Sequence, residues 1–376
     1  MNPNGWSRQV LLPFAASRAG LLLVGVLALG LIGSVRSGSG NLVAHTPVPA
    51  PLEVWARWDS EWYLLIAAHG YRVDSFLEGY YPDYRPEDST GFFPLYPLLL
   101  RGASATGLPL VAAGVLVSNL ALLVALTLFH LLVRDEMDEQ AATFSVWALL
   151  AFPTSFFFSA VYSESLSLAL TLGTFLAARH RRWGWLAVCG FFGALARPTG
   201  VLVAAALLWE IWERKGEWKG WLSLAAFPAG TGVFCLFCWR LFGDPLAWVH
   251  RQARWRGAAS GPWRAFVRFF ENAPRLHGSH SSFVELVIAA LFIVALVPAV
   301  RKLRPSWAAY TVLSVLVPLC STLWSFSRLA LTIFPAFALL GLAGNRRPEL
   351  LSLYLAVCLP LGGLLMTLFA CGWWAG

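Results

Sequence analysis

Seven consecutive residues, Arg57-Trp58-Asp59-Ser60-Glu61-Trp62-Tyr63, put a guanidinium, two carboxylates and three aromatic rings within two helical turns. A carboxylate walled by aromatic rings can sit beside a sugar and take a proton from an attacking hydroxyl. The competing reading is an amphipathic helix whose acidic residues are simply solvated. Apolar residues at 55, 58, 62, 65 and 66 share one helical face, so the spacing predicts a helix lying along a membrane interface on Trp anchors. Arg57, Ser60 and Glu61 then fall on its wetter flank, and Asp59 borders the aromatic stripe, from where it can be directed into a pocket. Asp59 and Glu61 diverge by about 200° on a helix, which argues against a metal held between them.

A second constellation is Gly243-Asp244-Pro245-Leu246-Ala247-Trp248-Val249-His250-Arg251-Gln252-Ala253-Arg254-Trp255-Arg256. Asp244 can cap a helix that Pro245 opens. His250 and Arg254 then lie four apart on one face and Arg251 on another. Arginine forks match phosphate oxygens, so a phosphate group is the economical ligand, with anionic lipid headgroups as the alternative.

Glu164, Arg197 and Arg328 each mark the end of an apolar segment, where an ionisable group is costly unless it is paired or lines a functional cavity. Three such groups at one end of the bundle can face one another, although each alone is also explained by a structural ion pair or by snorkelling. Cys235 and Cys238 have Cys-x-x-Cys spacing but lie inside an apolar run with no second ligand pair. There is no Walker loop, nucleophile elbow, zinc-protease motif or dinucleotide fingerprint.

The elements that must carry these residues are set by composition. Of 376 residues, 58% are hydrophobic, 13% are charged and 19 are Trp, with a mean hydropathy of +0.63. These values exclude an ordinary soluble domain and predict a single all-α polytopic membrane domain over 1–376. Apolar segments at 20–35, 108–133, 141–158, 164–178, 184–196, 199–213, 219–241, 283–300, 306–323, 329–343 and 350–370 give about eleven candidate spans. Segments 184–196 and 199–213 read as two short helices meeting at Arg197-Pro198, where proline breaks the run. The basic stretches Arg179 to Arg182, Arg214 to Lys219, Arg301 to Arg304 and Arg346-Arg347 fall on one side, which predicts a cytoplasmic N-terminus. Two long connections, 37–107 and 242–282, then lie outside. The first opens with Gly38 to Gly40 and prolines 47, 49 and 51, and carries an acidic tip at Asp83, Glu87 and Asp88. The net charge of +8 belongs to this topology rather than to nucleic acid.

The motif series as a whole resembles a known family. Arg57-Trp58-Asp59-Ser60, Ala67 to Tyr71, Phe92-Phe93-Pro94-Leu95-Tyr96-Pro97, Tyr162-Ser163-Glu164-Ser165-Leu166, Ala196-Arg197-Pro198-Thr199-Gly200 and Ser327-Arg328 with Phe334-Pro335 are similar to the mannosyltransferases related to GPI mannosyltransferase II, the PIG-V proteins of the GT-C superfamily. The resemblance implies a GT-C-type fold, a polyprenyl-phosphate sugar donor, transfer on the extracytoplasmic face and a catalytic acid residue that maps to Asp59. Pro198-Thr199 departs from the eukaryotic pattern, which leaves the acceptor open and favours a bacterial plasma membrane over the endoplasmic reticulum.

The expected reaction is a single inverting displacement, with Asp59 as base and a glycolipid or other hydroxyl as acceptor. His250, Arg251, Arg254 and Arg328 are expected on the donor phosphate, and Arg57, Trp58, Glu61, Tyr63, Glu164 and Arg197 on the substrates. No metal or cofactor is expected, and the partners are membrane lipids and the two substrates. A flippase for lipid-linked sugars is the competing class.

Overall fold

A computed structural model describes residues 3–34, 48, 50–71, 85–213, 217–278 and 281–376. Residues Gly38 to Gly40, prolines 47 and 49, Asp83 and part of the basic stretch at Arg214 lie outside those described. The described residues form helices joined by short turns, with no strand beyond one isolated bridge between Arg275 and Ser282.

Among the described residues, five helices are long and apolar enough to cross a bilayer: Ser7–Leu31, Leu110–Glu136, Trp218–Phe242, Phe283–Lys302 and Pro348–Ala370. Their outward faces are apolar, as at Leu27, Leu31, Leu291, Val294 and Leu353, which suits lipid rather than water. The other apolar segments fold as shorter helices, so eleven full crossings are not what the structure shows. The segment expected at 141–158 stops at Ala151, because Phe152 precedes Pro153 and takes the extended backbone that position favours. The pair Trp183–Ala196 and Gly200–Glu213 does break at Arg197 to Thr199.

Close helix contact is set by small residues. The Phe334–Arg346 helix lies against Glu139–Ala151, and a Cβ on Gly341 would run into Ser145 Oγ and the Ala141 carbonyl. Gly341→Ala is therefore expected to cost about 1–3 kcal/mol through overpacking, measurable as a lower unfolding midpoint in detergent.

Two groups of charges sit at opposite ends of the Glu164–Arg179 helix. At its C-terminal end Arg179 pairs with Glu136 (3.1 Å), Arg304 pairs with Glu136 (3.2 Å) and Glu210 (3.1 Å), and Ser306 donates to Glu210 (2.7 Å). This net ties four helices together. At the N-terminal end, roughly 24 Å away at 1.5 Å per residue, lies the second group.

Candidate active site

The helix of the first loop is shorter and more deeply packed than the apolar spacing predicts. Residues Trp55 to Asp59 make turns, the helix runs only over Ser60–His69, and Ser60 to Ala67 are buried on every side. The expected wet flank is absent: Arg57, Ser60 and Glu61 are all buried. The reason is the packing of this short helix against Leu95–Ser104 and Leu110–Glu136, which converts a surface element into a wall. Trp62 stacks on Phe92 at 5.4 Å, and Tyr63 meets Phe92 and Tyr96 edge-on at 5.1 and 5.0 Å.

Asp59 occupies the N-cap position of that helix, yet its carboxylate caps no backbone group. It reaches across the chain instead, and Arg328 Nη1 donates to Asp59 Oδ2 at 2.6 Å. Arg328 Nε lies 3.3 Å from Glu164 Oε1, which Arg197 Nη1 approaches at 2.8 Å. Glu164, Arg197 and Arg328 thus converge on Asp59. The two arginines approach Glu164 as charges, out of hydrogen-bond alignment, and Glu164 Oε2 is buried without a hydrogen-bond partner. Burial works against the Arg328 charge, but Asp59 and Glu164 outweigh it and raise its pKa above the usual arginine value. Tyr162 braces the turn, since its hydroxyl donates to the Arg57 carbonyl (3.0 Å) and accepts the Asp59 N–H (3.1 Å).

Backbone strain flanks the ion pair on both sides. Trp58 and Ser325 are non-glycine residues in the left-handed region, with φ of 59° and 63°. Such conformations cost about 1–3 kcal/mol and persist where surrounding contacts over-determine them. Here Arg57 anchors one turn, pairing with Glu53 (2.7 Å) and donating from Nε to the Ala370 carbonyl (3.1 Å).

Arg57, Trp58, Asp59, Arg197, Ser325 and Arg328 line a cavity of about 950 Å³. That volume holds a glycosyl phosphate with part of an acceptor. Trp58, Trp324 and Trp374 form an aromatic wall beside the Asp59–Arg328 pair, with Trp374 5.6 Å from Trp58 and 5.3 Å from the Arg328 guanidinium. The Ala247–Arg256 helix contributes Val249 and residues 251–256 to the lining.

The order of side chains on that helix differs from expectation. The helix begins at Ala247, two residues beyond Pro245, and the Asp244 carboxylate accepts from the Leu246 N–H at 2.9 Å. Its second oxygen holds His250 at 2.7 Å on the exposed side, away from the cavity lining. Arg251 and Arg254, expected on separate faces, both turn to Asp88 Oδ1, at 3.0 and 2.8 Å. Asp88, read from the sequence as part of a solvated acidic tip, is buried, and its Oδ2 also accepts the Arg85 N–H at 3.1 Å. Arg251 stacks on Trp255 at 3.5 Å, and burial lowers its pKa to about 10.

Arg256 is the cation that the sequence reading left unassigned. It lines the cavity, forms no ion pair among the described residues and donates only a long 3.4 Å contact to the Trp324 carbonyl. Burial, with the neighbouring charges of Arg328 and Arg197, lowers its pKa to about 10. Among the expected substrate contacts, Arg57, Trp58, Glu61, Tyr63 and Arg197 line the cavity, whereas Glu164 lies behind it. The Tyr63 hydroxyl is bonded to Ser163 Oγ at 2.9 Å, and burial raises its phenol to about 12.

Residues 34–213 match the family model for mannosyltransferase (PIG-V). No curated protein matches the chain. Among solved structures, the Archaeoglobus fulgidus oligosaccharyltransferase in its apo form is 12% identical, covering 96% of this chain and 56% of its own at a TM-score of 0.49. The same protein tethered with an acceptor peptide gives 12% identity, 99% and 56% coverage and 0.49. Its complex with an inhibitory peptide and a dolichol-phosphate gives 12%, 99%, 57% and 0.48. This chain therefore spans little more than half the length of those proteins.

The family match covers the first five motifs of the series, from Arg57 to Gly200, whereas Ser327-Arg328 with Phe334-Pro335 lies beyond it. The matched segment contains Asp59, Glu61, Glu164 and Arg197. Arg251, Arg254, Arg256 and Arg328 lie beyond it.

Proposed function

We propose that the protein moves a mannosyl or other hexosyl unit from a polyprenyl-phosphate sugar to the hydroxyl of a glycolipid, on the extracytoplasmic face of the membrane. The observation that carries this reading is the Asp59 carboxylate, held by Arg328 at the wall of a cavity lined with Trp and Arg. Asp59 takes the acceptor proton as its oxygen attacks the anomeric carbon. The anomeric C–O bond to the lipid phosphate breaks, the configuration inverts and the electron pair leaves on the phosphate. One carboxylate oxygen rests on Arg328, which leaves the other to face the acceptor.

Cations close to the departing phosphate stabilise its developing charge. Arg251 and Arg254 are engaged by Asp88 and Arg328 by Asp59, so Arg256, which forms no ion pair among the described residues, is the cavity guanidinium best placed to take an incoming phosphate. A hydrogen bond to a charged group contributes about 1.5–3 kcal/mol. Arg256→Ala is accordingly expected to raise the donor Kd by about 10- to 150-fold, and unchanged affinity would remove Arg256 from the phosphate site.

Incubating the purified protein with labelled polyprenyl-phosphate mannose and a panel of membrane glycolipids tests the whole reading. A hexose-extended glycolipid in the mass spectrum is the expected result. Donor that binds but is never consumed with any acceptor would instead favour a carrier of lipid-linked sugars.

A further inference from the structure

Glu61 stands out among the cavity residues because one of its carboxyl oxygens, Oε1, is buried without a hydrogen-bond partner. The residue is 3% exposed and lines the cavity two positions from Asp59. Arg256, which forms no ion pair among the described residues, lies against the Trp324 carbonyl rather than Glu61, and the other cavity arginines are engaged. Arg57 is committed to Glu53 and the Ala370 carbonyl, and across the cavity Arg251 and Arg254 are held by Asp88. Arg328 and Arg197 serve Asp59 and Glu164. The helices packed directly against its own, Leu95–Ser104 and Leu110–Glu136, place no charge on the cavity wall.

A buried carboxylate left in that position, beside Asp59 and facing an incoming phosphate, would be repelled by both. Protonation removes the repulsion and creates a group that can both donate and accept. Two adjacent hydroxyls of a sugar ring ask for that combination.

We propose that Glu61 contacts the substrate as an un-ionised acid, giving its O–H to one substrate hydroxyl and accepting a hydrogen bond from a neighbouring one. The inference rests on the glycosyl-transfer reading above and adds to it the residue that reads the hydroxyl pattern. Burial, opposed by Arg57 and reinforced by Asp59, raises the Glu61 carboxyl to about 8, so the acid form prevails at neutral pH. The contact is present below that value and is lost as pH rises through it.

The test measures the Kd of polyprenyl-phosphate mannose, the Kd of sugar-free polyprenyl phosphate and the acceptor KM, from pH 6 to pH 9.5, in the parent protein, Glu61→Gln and Glu61→Leu. Glutamine keeps one donor and one acceptor but cannot ionise, whereas leucine keeps only bulk. In the parent, one of the sugar-dependent constants should worsen by about tenfold per pH unit above pH 8, as a single proton linkage requires. In Glu61→Gln that constant should stay flat, and in Glu61→Leu it should be weakened at every pH with sugar-free polyprenyl phosphate unaffected. An effect on the donor constant assigns the hydroxyls to the transferred sugar; an effect on the acceptor KM assigns them to the acceptor. If all three proteins share one pH profile and the same constants, Glu61 makes no such contact while the glycosyl-transfer reading stands. If the sugar lipid fails to bind even the parent protein, both readings fall.

Discussion

Asp59→Asn is expected to lower glycosyl transfer by about 100- to 10,000-fold while donor binding persists, the loss that removing a general base produces. Asparagine matches the shape of the carboxylate but cannot take the proton. The result separates an enzyme from a carrier, because a protein that only moved lipid-linked sugars between leaflets would hardly notice the change. Transfer at the parent rate would show that another group removes the proton, and single-turnover kinetics with preloaded donor would register it directly.

Arg328→Met should be damaging in a second way. Arg328 joins the half-buried Asp59 to the buried Glu164, and its loss leaves two carboxylates close together with Arg197 as the remaining counter-charge. Removing one member of a buried ion pair costs about 3–5 kcal/mol. A variant that retains the fold should unfold at a markedly lower temperature in detergent and show little transfer. Arg328→Lys should recover part of the stability, since the charge remains. It should recover little activity, because an ammonium cannot address both carboxylates with the planar fork of a guanidinium. An Arg328→Met protein with parental stability would mean that Asp59 and Glu164 do not depend on it.

The parts of this site legible in the sequence were those that break the chemistry of their own segment. Glu164, Arg197 and Arg328 were visible because a charge at the end of an apolar run is anomalous wherever it occurs. Asp59 was visible because it sits among tryptophans. Helix positions are legible for the same reason, since apolar runs and the break at Pro198 act locally, although the segment read as 141–158 runs past the stop that Pro153 imposes.

What the sequence could not show depends on elements far apart in the chain. Asp88 looked like one of several acids at a loop tip, and only its contacts with Arg251 and Arg254, over 160 residues later, make it a buried anchor. His250 was placed beside Arg254 by helical spacing alone, whereas the Asp244 carboxylate that caps the preceding turn pulls it to the other side. The periodicity of 55–66 suggested a helix afloat on the membrane, because an interfacial helix and one buried under two others share the same apolar stripe. Arg256 and Trp374 carried no local signal, since an arginine in a basic loop and a tryptophan near an apolar helix end are ordinary.

The contact between Asp59 and Arg328 joins residues 269 positions apart. At about 5–20 residues per second of synthesis, the aspartate waits roughly 15–50 s for its guanidinium. Through that interval the growing chain holds the Asp59 carboxylate without the guanidinium that pairs with it. Formation of this ion pair is therefore a late event of biogenesis: the first helices can enter the membrane early, yet the pair cannot close before residue 328 has been delivered.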